Sequence, residues 1–149
     1  MKIMLVGRTG SGKTTLTQKI NGEGIRYQKT QMVSYEQDII DTPGEYIENK
    51  FYYKALTVIA SGADKIVFVQ AATDEDTFFP PNFSTMFTGK EIIGVVTKKD
   101  LNADCRTAEN FLKCAGAGEI FHMGLNDEAE IIKFKERLGI GDESESCNS

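Results

Sequence analysis

One short stretch near the N-terminus constrains the fold more than any other part of the chain. The apolar run KIMLVG (2–7) leads directly into the glycine-rich sequence GRTGSGKT (7–14), which overlaps the helix-forming stretch KTTLTQKI (13–20). Residues 7–14 fit the pattern GxxxxGK[ST], in the strand-then-helix context that the pattern requires. The sequence therefore predicts a buried strand, a phosphate-binding loop and a helix, in that order.

The residue types in this loop suit the binding of a nucleotide's phosphates. Glycines permit backbone angles and close approaches that a side chain would forbid, so the loop's amide N–H groups can surround a phosphate. Lys13 would place its ammonium on the terminal phosphates, and the Thr14 hydroxyl would ligate Mg²⁺. The alternative is a glycine-rich turn that happens to precede a lysine. The residues predicted to bind nucleotide here are Gly7, Arg8, Thr9, Gly10, Ser11, Gly12, Lys13, Thr14 and Thr15.

Apolar runs and helical stretches alternate along the remaining chain. Because several runs are apolar without a polar face, they predict a mostly parallel sheet with helices on both faces, an α/β fold. Ligands bind such folds beyond the carboxyl ends of the strands, which places Gly7, Asp41, Ala71 and Lys98 along one rim. The predicted strands are 2–7, one or two within 31–41, 65–72, 91–98 and 119–124, and the predicted helices are 13–20, 50–62, 107–118 and 127–139.

Two segments fall outside this alternation. The stretch TDEDTFFPPNFSTMFTG (73–89) predicts a loop with at most a short helix after Pro80 and Pro81, and we expect Phe78 and Phe79 within it to be core residues rather than an exposed contact. The tail GDESESCNS (141–149) is small, polar and acidic, which predicts disorder. Residues 1–140 then form a single nucleotide-binding domain.

The tetrapeptide TKKD (97–100) ends a predicted strand on the same rim. It matches the [NT]KxD pattern of guanine-nucleotide proteins, in which the carboxylate accepts hydrogen bonds from two edge donors of guanine that adenine lacks. Asp100 is thus the predicted base reader, with the stem of Lys98 packed along the base. Thr97 replaces the commoner asparagine, which predicts a loop held less firmly. The alternative is a charged loop before a helix.

The sequence IIDTPGEY (39–46) places Asp41 where such proteins keep an acid for Mg²⁺ and Gly44 where an N–H can meet the last phosphate. Thr30 lies in the connecting segment that commonly supplies a threonine to Mg²⁺; it could instead be a solvated loop residue. Glu45 stands where fast enzymes of this kind have glutamine, which predicts slow hydrolysis or a loop acid without a chemical role. The predicted catalytic residues are Lys13, Thr30, Gly44 and Glu45, and the predicted metal ligands are Thr14, Thr30 and Asp41.

Composition excludes several other functions. With a net charge of −5, divided into +3 over residues 1–40 and −8 over residues 41–149, the chain is unsuited to nucleic acid as its main partner. The single histidine argues against a His-based metal site or a Ser-His-Asp triad. No apolar run is long enough for a membrane span. We expect a cytoplasmic protein whose three cysteines are reduced thiols.

The motifs GRTGSGKTTL, KTQ, DTPGEY and TKKD, in a chain this short, resemble the EutP/PduV family of ethanolamine and propanediol utilisation. The resemblance spans residues 1 to about 139. It implies a small Ras-like P-loop protein with short switch connections, binding GTP and Mg²⁺ and associated with bacterial microcompartment shell or enzyme proteins. The last base-contacting loop departs from the usual Ser-Ala-x pattern, and HMGLN (122–126) offers Gly124 there instead.

Three functions follow as hypotheses. The first is a small GTP-binding protein with slow GTP hydrolysis. The second is a kinase that uses ATP to form an acyl phosphate from a short-chain carboxylate such as acetate; Arg8 and Arg26 are the only arginines near the loop that could hold that substrate. The third is a scaffold or targeting protein that binds nucleotide without catalysis.

Overall fold

The protein is described by a computed structural model that covers residues 2–20, 34–36, 39–101, 104–124 and 128–139, with backbone alone for 34–36. Sequence predictions that lie outside these residues include Thr30 as an Mg²⁺ ligand, Arg26 as a substrate-binding arginine, the KTQ motif and the disorder expected of the tail 141–149. None of the described helices is both long and apolar enough to cross a membrane.

Six strands of the described residues form one sheet, with helices packed against it. The strands lie in the order β2-β3-β1-β4-β5-β6, and every neighbouring pair is parallel except β2 with β3. The strands are β1 (Ile3–Val6), β2 (Ser34–Glu36), β3 (Ile39–Asp41), β4 (Lys65–Ala71), β5 (Glu91–Thr97) and β6 (Glu119–His122). The α-helices are α1 (Lys13–Ile20), α2 (Glu45–Glu48), α3 (Tyr53–Ala60), α4 (Arg106–Ala115) and α5 (Glu128–Leu138). The predicted mostly parallel α/β sheet is confirmed.

The central strands β1 and β4 are buried on both faces. Because side chains alternate between the faces of a strand, each strand feeds two cores. Met4 and Phe68 belong to one hydrophobic cluster, whereas Leu5 and Val67 belong to another. This two-sided burial explains why these segments are continuously apolar in sequence, without the alternation of a sheet that is exposed on one face.

Aromatic side chains from the 73–89 segment complete one of these cores. Phe79 is buried, and its ring stacks on Phe68 with centroids 4.9 Å apart. A short 3-10 helix, Phe83–Phe87, follows the two prolines, as the sequence predicts. Phe78, however, is 37% exposed, so the prediction that it belongs to the core is wrong. Its ring instead lies under the guanidinium of Arg8, with the Arg8 Cζ 4.5 Å from the ring centroid.

The predicted helix 50–62 is shorter and divided in the structure. A 3-10 helix at Lys50–Tyr52 precedes α3, and the short α2 precedes both. Asn49 separates α2 from this 3-10 helix: it is extended, with φ −129° and ψ 118°, and its side chain accepts a hydrogen bond from the Phe51 N–H. The sequence prediction missed α2, which begins at Glu45 immediately after the Thr-Pro-Gly turn.

Candidate functional site

The phosphate-loop candidate turns sharply between β1 and α1. Gly10 and Gly12 have φ values of 81° and 99°, in the left-handed region that favours glycine. Gly7 needs glycine for space, because a Cβ there would lie 2.7 Å from the Val69 carbonyl oxygen. The loop is closed by the Ser11 N–H, which donates to the Arg8 carbonyl at 3.1 Å. The local geometry therefore explains the spacing of the three glycines.

Lys13 is the first residue of α1 and is only 5% exposed. Its ammonium donates to the Arg8 carbonyl oxygen at 3.3 Å, within the loop itself. Burial lowers the pKa of Lys13, and the negative charges of Asp41 and Glu48 oppose that shift without cancelling it. The loop thus contains a desolvated cation for which an added anionic group would be a favourable partner.

Thr14 and Asp41 bring a hydroxyl and a carboxylate together beside Lys13. The Thr14 Oγ1 donates to the Asp41 Oδ2 at 3.4 Å, and Asp41 is 5% exposed at the end of β3. Parallel pairing of β1 with β3, which places Leu5 opposite Asp41, brings the carboxylate to the loop. Hard oxygen donors of this kind fit Mg²⁺, which commonly uses one or two protein ligands together with phosphate oxygens.

The Asp-x-x-Gly turn packs directly on the phosphate loop. Thr42 anchors the turn, because its buried hydroxyl donates to the Leu5 carbonyl at 2.7 Å. Gly44 lies so close to Thr9 that a Cβ on Gly44 would be 2.1 Å from the Thr9 nitrogen. Glu45 is exposed at the start of α2. The turn and the loop therefore form one contiguous surface.

Glu48, at the end of α2, also contacts the loop, and the sequence prediction missed it. Its Oε2 accepts the Thr9 N–H at 2.7 Å. No motif position marks this residue; its spacing of seven residues from Asp41 is meaningful only once the turn and α2 are known. The structure thus adds a second carboxylate, besides Asp41, near Lys13.

Two side chains of the TKKD segment bind the phosphate loop. The Thr97 hydroxyl, buried at the end of β5, donates a hydrogen bond to the Ser11 carbonyl. Lys98, at a φ of 60°, extends across the loop, where its ammonium donates to the Gly10 carbonyl at 2.6 Å. Thr97 therefore makes a direct tie between the two loops even though it lacks the amide of asparagine.

Asp100 faces the segment that follows β6. A Cβ on Gly124 would lie 3.4 Å from the Asp100 Oδ1, so these two predicted residues are adjacent. The Lys99 N–H, which donates to the Met123 carbonyl at 3.0 Å, holds the two segments together. Beside them is a cavity of about 360 Å³, bordered by Asp100, Gly124 and Thr97. The sequence predicts nucleotide-binding residues in this lining: Asp100, Gly124, Thr97, Thr15, Gly12 and Lys98. The lining residues that it does not predict are Leu16, Lys19, Leu101, Met123 and Ile131.

The side chain of Arg8 points toward the loop after β4. Its guanidinium lies 2.7 Å from the Asp76 carboxylate and 3.9 Å from that of Asp74, in addition to the Phe78 ring described above. Gln70 holds this loop in place, since its Nε2 donates to the Asp76 carbonyl at 3.0 Å. The loop after β4 is thereby tied to the start of the phosphate loop.

The strand order, the glycine-rich loop between β1 and α1, and the acid at the end of β3 define a Ras-like α/β protein of the P-loop class. Comparison with solved structures agrees on the fold: the GDP-bound Roco2 RocCORdC from Methanosarcina barkeri superposes with a TM-score of 0.61 at 18% identity. The match covers 93% of this chain and 47% of that one.

The chain belongs to the PduV-EutP family, described as ethanolamine utilisation - propanediol utilisation, whose sequence model matches residues 1–139. The propanediol utilization protein PduV of Citrobacter freundii is 43% identical over 122 residues, covering 80% of this chain and 81% of that protein. The probable acetate kinase EutP of Salmonella typhimurium is 32% identical over 147 residues, covering 97% and 92%. The probable acetate kinase EutP of Escherichia coli is 31% identical over 140 residues, covering 92% of this chain and 88% of that protein. The sequence resemblance is therefore confirmed.

Proposed function

We propose that this protein binds GTP with Mg²⁺ and hydrolyses it slowly, in the service of ethanolamine or propanediol utilisation. The observation that carries the proposal is the pair of hydrogen bonds from Thr97 and Lys98 to the phosphate loop. They hold Asp100 at the cavity beside that loop, so that one ligand could meet both. A guanine base at Asp100 and phosphates at Lys13 suit this arrangement.

Each predicted residue has a role in this proposal. The loop from Gly7 to Thr15 would bind the phosphates, and Gly124 would offer its N–H to the base. Thr14 and Asp41 would hold Mg²⁺, which supplies charge neutralisation at the phosphates when bound; Thr30 is the third proposed ligand. Gly44 would direct its N–H toward the last phosphate. The family connection supports microcompartment shell or enzyme proteins as partners in the cell.

The guanine assignment is tested by replacing Asp100 with alanine. Loss of a charge-assisted pair of hydrogen bonds is expected to weaken GTP binding by about thirtyfold and to leave ATP binding within about twofold. Isothermal titration of both nucleotides measures the two affinities. Asp104→Ala is the matched control, because Asp104 pairs locally with Arg106. Equal affinities of the wild-type protein for GTP and ATP would refute the guanine assignment.

Slow hydrolysis is attributed to Glu45. A carboxylate there can accept a hydrogen bond from an attacking water but cannot donate one to the transferring phosphoryl group, whose charge it repels. We expect Glu45→Gln to raise single-turnover GTP hydrolysis by at least about tenfold, since a glutamine can do both. Release of inorganic phosphate is the measurement. An unchanged rate would show that Glu45 has no part in the chemistry.

A second candidate is an ATP-dependent kinase for a short-chain carboxylate. The similarity to the probable acetate kinases of Salmonella typhimurium and Escherichia coli favours it. In that reaction a carboxylate oxygen attacks the γ-phosphorus, the bond to the β-phosphate oxygen breaks, and acyl phosphate and ADP form. Arg8 would have to leave Asp76 before it could bind the substrate carboxylate. Acetyl phosphate formed above the level of a Lys13→Met control would favour this candidate over GTP hydrolysis.

A further inference from the structure

The carboxylate of Glu48 accepts a hydrogen bond from a backbone N–H of the phosphate loop itself. The donor, the Thr9 nitrogen, is 2.7 Å from the Glu48 Oε2. Main-chain N–H groups of such loops are the groups that bind anionic oxygens, and a side-chain carboxylate uses the same charge-assisted chemistry as a phosphate oxygen. Glu48 thus supplies the loop with an anionic group that belongs to the protein.

The surrounding charges favour Glu48 in its ionised form. Partial burial alone would raise the pKa of Glu48, but hydrogen bonds from Thr9 and the charges of Arg8 and Lys13 hold that pKa below its usual value. The influence is mutual, because the Glu48 charge also acts on the pKa of Lys13. The carboxylate therefore lies in the positive field that the proposed function assigns to the terminal phosphates.

We propose that Glu48 is a specificity-determining residue that disfavours a nucleoside triphosphate relative to the diphosphate; this inference rests on the proposed function. A third phosphoryl group adds negative charge at the end of the loop where Lys13 lies. It must displace the Glu48 carboxylate from Thr9 or remain beside a like charge, and both outcomes weaken triphosphate binding. A diphosphate has no such group and avoids this penalty.

The position of Glu48 links this effect to the neighbouring turn. Glu48 ends α2, which starts directly after Gly44, and Gly44 packs on the same Thr9 that Glu48 binds. Displacement of the carboxylate therefore removes a contact that holds α2 against the loop. Bound triphosphate would loosen α2, and bound diphosphate would leave it in place.

Substitution of Glu48 by glutamine tests the inference. The amide oxygen can still accept the Thr9 N–H, so the fold is retained, but the negative charge is gone. We expect affinity for a non-hydrolysable GTP analogue to rise about tenfold and affinity for GDP to stay within about twofold, at fixed Mg²⁺. Glu75→Gln is the matched control, because Glu75 is an exposed acid on the loop after β4. Isothermal titration gives both affinities.

The outcomes separate this inference from the proposed function. If wild-type protein binds guanine nucleotides but Glu48→Gln leaves the GTP-analogue to GDP affinity ratio unchanged, the role of Glu48 is refuted and the proposed function stands. The same follows if both affinities rise equally, since a uniform effect is not discrimination. If wild-type protein binds neither nucleotide, the proposed function fails and the role of Glu48 fails with it.

Discussion

Replacement of Lys13 by methionine is expected to weaken nucleotide binding by about a hundredfold while leaving the nucleotide-free protein as stable as before or more stable. Lys13 is 5% exposed, and burial lowers the pKa of its ammonium despite the nearby acids Asp41 and Glu48. In the free protein the charge is therefore unfavourable. Phosphates would add the negative charge that Asp41 and Glu48 do not supply in full, so the lysine is useful chiefly when nucleotide is bound.

The pH dependence of unfolding provides an independent check on Lys13. Its pKa in the folded protein lies below 10.5, the value in an unfolded chain. Between those two values the unfolded state binds more protons, so the stability contributed by this group rises with pH through that window. Below the folded-state pKa the unfavourable contribution is present in full. Lys13→Met should lack this rise.

Isothermal titration with GTP and thermal unfolding without nucleotide measure the two effects of Lys13→Met. Lys54→Met is the matched control, because Lys54 is exposed on α3 and should change neither result. A variant that binds GTP like the wild type would contradict the assignment of Lys13 to the phosphates. A variant that loses stability without nucleotide would show that Lys13 is mainly a structural residue.

The sequence is sufficient to predict the frame of this site. Strands that are buried on both faces are apolar over most of their length, so the polar residues at their carboxyl ends mark the rim. Asp41 is predicted at one such end and Thr97, through the TKKD motif, at another; parallel pairing brings both to the loop between β1 and α1. The same reasoning does not give side-chain partners, because these depend on how each loop turns after its strand.

Adjacent phenylalanines illustrate that limit. Phe78 and Phe79 are the same residue type and adjacent in sequence, yet only Phe79 is buried. Local polar bonds decide between them: the Thr77 hydroxyl accepts the Phe79 N–H at 3.1 Å and donates to the buried Gln70 at 2.9 Å. The resulting turn directs the Phe79 ring into the core and leaves the Phe78 ring beside Arg8. The pattern of apolar residues in the sequence therefore does not indicate which of the two rings is buried.

The contact made by Glu48 at the site shows the same limit of prediction from sequence. Glu48 is an exposed acid four residues beyond Gly44, and a sequence alone cannot distinguish it from Glu75 or any other surface acid. It contacts Thr9 because α2 begins immediately after the turn and because Gly44 permits a close approach of backbone to backbone. The hydrogen bond from Thr97 to Ser11 likewise depends on the distance between the TKKD segment and the phosphate loop, which the motif does not specify.

Replacement of Gly44 by alanine is expected to reduce the free energy of unfolding by about 2 kcal/mol and to impair GTP hydrolysis. An added Cβ would lie 2.1 Å from the Thr9 nitrogen and 2.6 Å from its Cα, and backbone atoms cannot move aside as the end of a side chain can. The Thr42 hydroxyl fixes the turn from one side, and the Ser11 N–H fixes the loop from the other. Separation of α2 from the loop is then the remaining adjustment.

Gly62→Ala is the matched control for Gly44→Ala. A Cβ on Gly62 would be 3.6 Å from the Ile59 carbonyl oxygen, an ordinary contact, so that variant should unfold within about 0.5 kcal/mol of the wild type. Chemical denaturation compares both variants, and single-turnover hydrolysis of GTP follows the effect on the site. Equal stability of the two variants would mean that Gly44 and Thr9 can move apart at little cost in free energy. In that case a change in the loop would not be transmitted to α2 through Gly44. The proposed effect of Glu48 on triphosphate binding would then depend on its charge alone.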